Sequence, residues 1–238
     1  MHATASTLRA LVDPWDGMGP FLSSGRWWFA LACLCLATLA SGAAWAWRWN
    51  PAPTVLKALQ AEGELARSTE QEISELVKRK QRVQWVVAVA DGLLGAPLRA
   101  LALALVLALA AWIVGARLPF GEAWQLSLLA LLPLALGHVA LALAVARNPG
   151  LSAVQRDALL PSHLGAWIPA QGPRAALLRS LDFFQLWGVA LVGLGLSTAA
   201  GMRRWRALLL AGLLYALYVG TFHVGLPGLL ARAPGGAP

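Results

Sequence analysis

Five runs of apolar residues, each of about twenty positions, alternate with polar segments along the chain. The first runs from about Trp27 to Trp47, between Arg26 and Arg48, and the second from about Leu98 to Ala116. The third runs from about Ala123 to Val145, the fourth from about Phe183 to Met202, and the fifth from about Ala207 to Leu226. Twenty residues of α-helix reach about 30 Å, the thickness of a bilayer's hydrocarbon core. Inside that medium a helix satisfies its own backbone, so no sheet is needed. The pattern predicts an all-α, polytopic integral membrane protein with five transmembrane helices and an amphipathic extramembrane helix. Its organisation is then an N-terminal segment at 1–26, a membrane domain at 27–226 with extramembrane loops at 48–97 and 147–180, and a flexible C-terminal tail at 227–238.

The polar segments divide by their turn residues and periodicity. Residues 1–26 contain Asp13-Pro14, Gly17, Gly19 and Pro20, which spell turns rather than a domain. Asp13, Asp16 and the length of the first apolar run argue for a retained helix instead of a signal peptide. Residues 54–90 are expected to form mostly helix outside the membrane, with Gly63 weakening its middle. Ser68 and Glu72 flank a helix start there, with acids early and bases late. Ile73, Leu76, Val77, Lys80 and Val83 follow at spacings of three and four, which puts them on one face. That face suits either a lipid surface or a protein partner, and the helix can continue through Trp85 into the second span. The loop at 147–180 is broken by Pro149, Gly150, Pro161, Pro169, Gly172 and Pro173, so it cannot be one helix.

Composition sharpens the membrane reading. Hydrophobic residues make up 58% of the chain and charged residues 13%, with a mean hydropathy of +0.62, against about 25% charged in soluble domains. Many of the 12 tryptophans sit where an apolar run meets polar sequence, as an interfacial belt requires. The net charge of +8 therefore points to anionic headgroups, not nucleic acid. Arginine outnumbers lysine, beside much Ala, Leu and Gly, a bias of GC-rich bacterial genomes that suggests a bacterial inner membrane. Five spans put the termini on opposite sides. The short turn with Arg203, Arg204 and Arg206 weighs most under the positive-inside rule, so the N-terminus is expected in the cytoplasm and the C-terminus in the periplasm.

Candidate chemistry is sparse. Cys33 and Cys35 diverge by about 200° on a helix and read as apolar filler. His138 and His223 lie within spans without acidic partners, which makes a poor metal site. His138 is expected to stay neutral and bond a carbonyl freed near Pro133. The G-x-S-x-G, H-E-x-x-H and P-loop patterns are absent, and so is a charged relay within the spans. No catalytic, cofactor-binding or metal residue is assigned, and no enzyme is expected. Small residues recur every four positions at Gly193, Ser197 and Gly201, and again at Gly212, Ala216 and Gly220. Such stripes let membrane helices approach closely. A hairpin of the fourth and fifth spans is the expected use, and a homodimer is the rival one.

The segment LDFFQLWGVALVGLGLSTAAGM at 181–202 resembles the motif of the Yip family, the Ypt/Rab-interacting membrane proteins. Asp182, Phe184 and Trp187 carry the likeness, followed by Gly195 and Gly201; Leu11-Val12-Asp13-Pro14 and Phe120-Gly121 with Pro133 add weaker matches. The resemblance spans residues 8–226. It implies a five-span fold with a cytosolic N-terminus and no established catalytic residues. Eukaryotic relatives carry a long cytosolic N-terminal region and act in vesicle traffic with small GTPases, a role that is not expected here. Some bacterial relatives act beside ABC exporters of the MacB type and their membrane-fusion subunits. The expected function is thus a non-catalytic accessory or scaffold protein of an ABC-type efflux assembly. Its interaction residues would be Ile73, Leu76, Val77, Asp182, Phe184 and Trp187, with membrane lipid as the other partner. A lipid-interacting or membrane-shaping protein is the alternative, and a small transporter using His138 and His223 is the third reading.

Overall fold

A computed structural model describes residues 2–23, 25, 27–148, 150–151, 155, 159–168 and 172–225. The tail expected at 227–238 lies outside the described residues. The helices are α1 (His2–Val12), α2 (Pro14–Ser23), α3 (Trp27–Arg48), α4 (Ala52–Ala61), α5 (Glu70–Ala90), α6 (Ala96–Ile113), α7 (Phe120–Arg147), α8 (Gly172–Ser180), α9 (Phe183–Ala199) and α10 (Arg204–Tyr218). Among the described residues the only bridge pairings are two isolated ones, Trp49 with Leu151 and His163 with Asp182. Among the described residues four helical runs are long and apolar enough to cross a membrane: Trp27–Arg48, Glu70–Ile113, Phe120–Arg147 and Arg204–Gly225. The protein is an all-α polytopic membrane protein.

Three boundaries differ from expectation. The helix expected to reach Met202 stops at Ala199, because Gly201 adopts φ +62°, a left-handed conformation that ends helices. At 17 residues α9 is apolar but shorter than the four runs above, about 25 Å long. The N-terminal segment is helical instead of a string of turns. Pro14 opens α2, a position where its missing N–H is harmless. Gly17 then lets α2 close on α1, since a methyl group there would stand 2.4 Å from the Ala10 nitrogen. Finally, α5 does continue through Trp85 into the second span, as the sequence allowed, by way of a π-helical segment, Asp91–Gly95, that makes one helix of 44 residues and moves the apolar start. The π turn lies just before Pro97, whose ring and missing N–H disturb the regular ladder. This continuity brings Gln84, Asp91 and Arg99 into a mainly apolar stretch that begins at Val83, well before the expected start at Leu98.

The chain divides into two compact units. The first comprises Met1–Leu34, Pro97–Leu136 and Pro161–Pro238 as far as they are described. In it Met18 and Phe21 of α2 are buried. With its terminal amide nitrogen turned towards α2, Gln125 donates to the carbonyls of Phe21 and Leu22 at 3.1 and 2.9 Å. Trp27 meets Trp124 edge-on at 5.9 Å, and the Arg204 guanidinium lies 4.5 Å over the Trp15 ring. Glycines set the helix spacing. A methyl group on Gly188 would stand 2.5 Å from the Ala130 carbonyl oxygen, and one on Gly195 would strike Leu126.

The second unit comprises Cys35–Ala96 and Gly137–Leu160. Here α3 crosses the α5 helix closely: a methyl on Gly42 would lie 3.1 Å from Ala88 Cα, and one on Gly92 would lie 3.0 Å from Leu39 Cα. The small residues Ala88 and Gly92, four apart, make this crossing possible. Trp45, Val145 and Leu151 form a buried cluster, with Trp49 stacked on Trp45 at 5.9 Å. Arg48 Nη2 donates to the Ala146 carbonyl at 2.7 Å, a cation on a helix C-terminus as the dipole favours.

Thr69, one residue after the expected Ser68, caps α5. The Thr69 side chain accepts from the Glu72 N–H at 3.3 Å, and the Glu72 carboxylate accepts from the Thr69 N–H at 2.7 Å, a reciprocal capping box. The backbone N–H of Thr69, and then its hydroxyl, hold the Glu72 carboxyl below its ordinary pKa. The unfolded chain lacks these bonds. The cap therefore contributes stability above the unfolded carboxylate pKa and loses it as pH falls through the lower folded value. Amide protection at Glu72 and Ile73 is expected to drop below about pH 4, and Thr69→Ala should show the same loss already at neutral pH.

Candidate functional site

The DFF…W motif builds a polar junction at the start of α9. Asp182 is its N-cap, with extended backbone, and Oδ1 accepts from the Phe184 and Gln185 N–H groups at 2.9 and 3.2 Å. These are two of the donors that a helix N-terminus leaves unpaired. Oδ2 accepts from the Ser162 hydroxyl. The strand-like contact of 162–164 with 181–183 adds Phe183 N–H to the Ser162 carbonyl at 2.9 Å and Leu164 N–H to the Leu181 carbonyl at 3.2 Å. From α10, the Tyr215 hydroxyl reaches the Ser180 carbonyl and Gln185 Oε1, the latter at 2.7 Å. Asp182 thus sits at the end of its helix, where expected, and joins α8, α9 and the loop before them. Sequence reasoning missed Ser162, Gln185 and Tyr215; a lone hydroxyl far along the chain carries no periodic signal.

Phe183, Phe184 and Trp187 pack on one another, with Phe183–Phe184 centroids 5.5 Å and Phe183–Trp187 centroids 5.8 Å apart. Phe183 remains exposed, whereas Phe184 and Trp187 are half-buried.

The α9–α10 hairpin forms, but not through the two stripes expected to meet. Gly193 is buried, and a methyl there would lie 3.0 Å from Leu208 Cα. Ser197 instead donates to the Met202 carbonyl at 3.0 Å, tying down the turn. Gly201 lies beyond the helix with open space around it. Gly212, Ala216 and Gly220 are exposed. The inward residues of α10 are Ala207, Ala211 and Tyr215, with Val219 in the π segment Val219–Gly225. The expected face is one residue, about 100°, out of register. Both registers carry small residues four apart, so spacing alone cannot choose between them.

The two intramembrane histidines have neighbours other than those expected. His138 Nδ1 lies 3.1 Å from the Ser41 hydroxyl, which in turn donates to the Thr38 carbonyl at 3.0 Å. It thus has a side-chain partner on α3 that was not expected. The His223 ring meets Tyr218 edge-on at 5.3 Å. Among the described residues no three His, Cys, Asp or Glu side chains are placed to hold a metal ion.

The apolar stripe of α5 splits between two faces. Ile73 and Val77 are half-buried, on the same side as Gln81, whose amide donates to the Ala46 carbonyl of α3. Leu76 points elsewhere and is 39% exposed. It lines an open cleft of about 920 Å³ beside α4 and α5 with Leu59, Arg79 and Val83. The break between α4 and α5 contains Gly63 at φ +73°, the weak point expected in the segment.

The long apolar helices and the capped aromatic motif define a class: polytopic membrane proteins without β-structure in their described residues. A family model of the Yip1 domain matches residues 4–225, and the chain belongs to that family. No curated protein and no solved structure matches the chain.

Proposed function

We propose that this Yip-family protein is a non-catalytic membrane accessory protein that docks another membrane complex through its α4–α5 segment. The observation that carries the reading is the single helix from Glu70 to Ile113. Its 44 residues extend about 66 Å, twice what hydrocarbon needs. Because α5 continues into the apolar helix α6 without a break, the polar first part of α5, up to Arg82, extends beyond the span. A helix lying flat on lipid would have to end before the span began. This part, with α4 beside it, offers Leu56, Leu65 and Leu76, all exposed, among many charges. The Yip-family resemblance favours an ABC-type efflux assembly and its membrane-fusion subunit as the partner. The Arg203, Arg204 and Arg206 turn favours a cytoplasmic N-terminus.

Leu65→Asp/Leu76→Asp tests this. The half-buried Ile73 and Val77 are poorer choices, since charge there would unsettle packing. Purification in mild detergent is expected to recover stoichiometric ABC-exporter subunits with the native chain and at least tenfold less with the variant, at equal thermal stability. Equal recovery of those subunits would defeat docking through this surface, and recovery of lipid alone with the native chain would defeat the efflux assignment.

A further inference from the structure

The cleft beside α4 and α5 has a graded lining that docking by itself does not require. Along α5 the acids Glu72 and Glu75 come first, then Arg79 and Arg82, then Val83, Val86 and Val87; Arg67 joins from the loop. Glu64, a third acid, lines the cleft beside Arg67; of the two on α5, Glu72 is engaged in the capping box and Glu75 with Lys78 at 3.0 Å. Among the described residues the ion pairs are Arg9–Asp16 and Lys78–Glu75, so neither Arg67, Arg79 nor Arg82 is in one. The three valines below them are each at least half exposed, Val86 at 68%.

The level of this lining is set within the same compact unit. Gln81 bonds the Ala46 carbonyl, near the end of α3. That end carries Trp47, 61% exposed, with the Arg48 guanidinium 4.0 Å over its ring. An exposed Trp beside Arg at the end of an apolar helix marks the headgroup region. Trp85, also exposed, repeats the mark on α5. Arg79 and Arg82 therefore stand at headgroup level, Val83 beside Trp85 at its inner edge, and Val86 and Val87 on the hydrocarbon side.

We propose that this cleft seats one anionic phospholipid, its phosphate on Arg79 and Arg82 with Arg67 opposite, and its acyl chains along Val83, Val86 and Val87. Unpaired guanidiniums above an exposed apolar wall are complementary to an amphiphile with a negative head. Guanidinium suits phosphate through its paired N–H donors. A free phosphate ion would leave the valines uncovered, and a zwitterionic lipid would give the arginines no net charge to meet.

Native mass spectrometry of the full chain, released from nanodiscs that mix phosphatidylglycerol with excess phosphatidylcholine, tests the site. The native chain should retain one phosphatidylglycerol, and millimolar inorganic phosphate should not displace it. Arg79→Gln/Arg82→Gln should lower retention on the order of thirty-fold, taking each basic residue near a membrane surface at its usual strength. Arg79→Glu/Arg82→Glu should lower it further, and the glutamine pair keeps the test open if charge reversal prevents folding. Lys57→Glu, exposed on α4 and outside the cleft, should leave retention unchanged. Equal retention of both lipids, displacement by phosphate, or retention unaffected by the arginine variants would each overturn the proposal. So would a photo-crosslinker at Val86 that captures a protein helix and no lipid.

Discussion

Gly188→Ala should destabilise the protein by about 1–3 kcal/mol, the range for overpacking a close-packed interior. The added methyl would lie 2.5 Å from the Ala130 carbonyl oxygen. A backbone atom cannot swing aside as a side chain does, so α9 and α7 must separate and give up contacts along their length. Gly212→Ala is the control. Nothing stands within 4 Å of a methyl there, and alanine favours helix over glycine by about 1 kcal/mol. That variant should be neutral or slightly more stable. Unfolding of the two variants in mixed micelles, side by side, reads the difference directly. Equal stability would mean that α9 does not approach α7 as described, or that the glycine stripe of α10 faces a neighbour after all.

Asp182→Ala should cost about 2 kcal/mol, combining a lost N-cap with a hydroxyl left without its acceptor. The Phe184 and Gln185 N–H groups and the Ser162 hydroxyl all lose Asp182 at once. Amide exchange at Phe184 and Gln185 should accelerate, while exchange in the middle of α9 changes much less. Asp182→Asn keeps an acceptor oxygen at the cap, and its loss should stay below about 1 kcal/mol. If the amide proves as damaging to activity as alanine while the helix stays capped, the charge itself has a role and Asp182 becomes a functional site and not only a structural one.

The motif residues were legible because they sit at an element boundary. An acid before an aromatic run at the head of an apolar helix reads as a cap from local chemistry alone, and the backbone bonds of Asp182 are local. Tyr215 and Ser162 were not legible, because each meets the junction from 20 to 30 residues away. The N-terminal helices were misread for a related reason. Gly17, Gly19 and Pro20 are turn residues in isolation, but Gly17 is required where α2 presses on Ala10, a contact that only the folded hairpin creates. Similarly, Ile73, Leu76 and Val77 share an apolar arc by spacing, yet Ile73 and Val77 are half-buried and Leu76 is open to the cleft.

The sequence by itself determined the class of protein, the apolar helices and the cap on α9, because hydropathy, length and local backbone bonding depend on neighbours along the chain. It also determined that small residues would govern packing, since only they permit close approach in an apolar medium. Tertiary structure decided which small residues do so. Gly188, Gly193 and Gly195 face neighbouring helices, and Gly212 and Gly220 face outward. A rotation of one residue about the helix axis separates these outcomes. Lipid tails are nearly as apolar as a leucine-lined helix, so hydrophobicity cannot select the rotation, and shape fit with the neighbouring helices must.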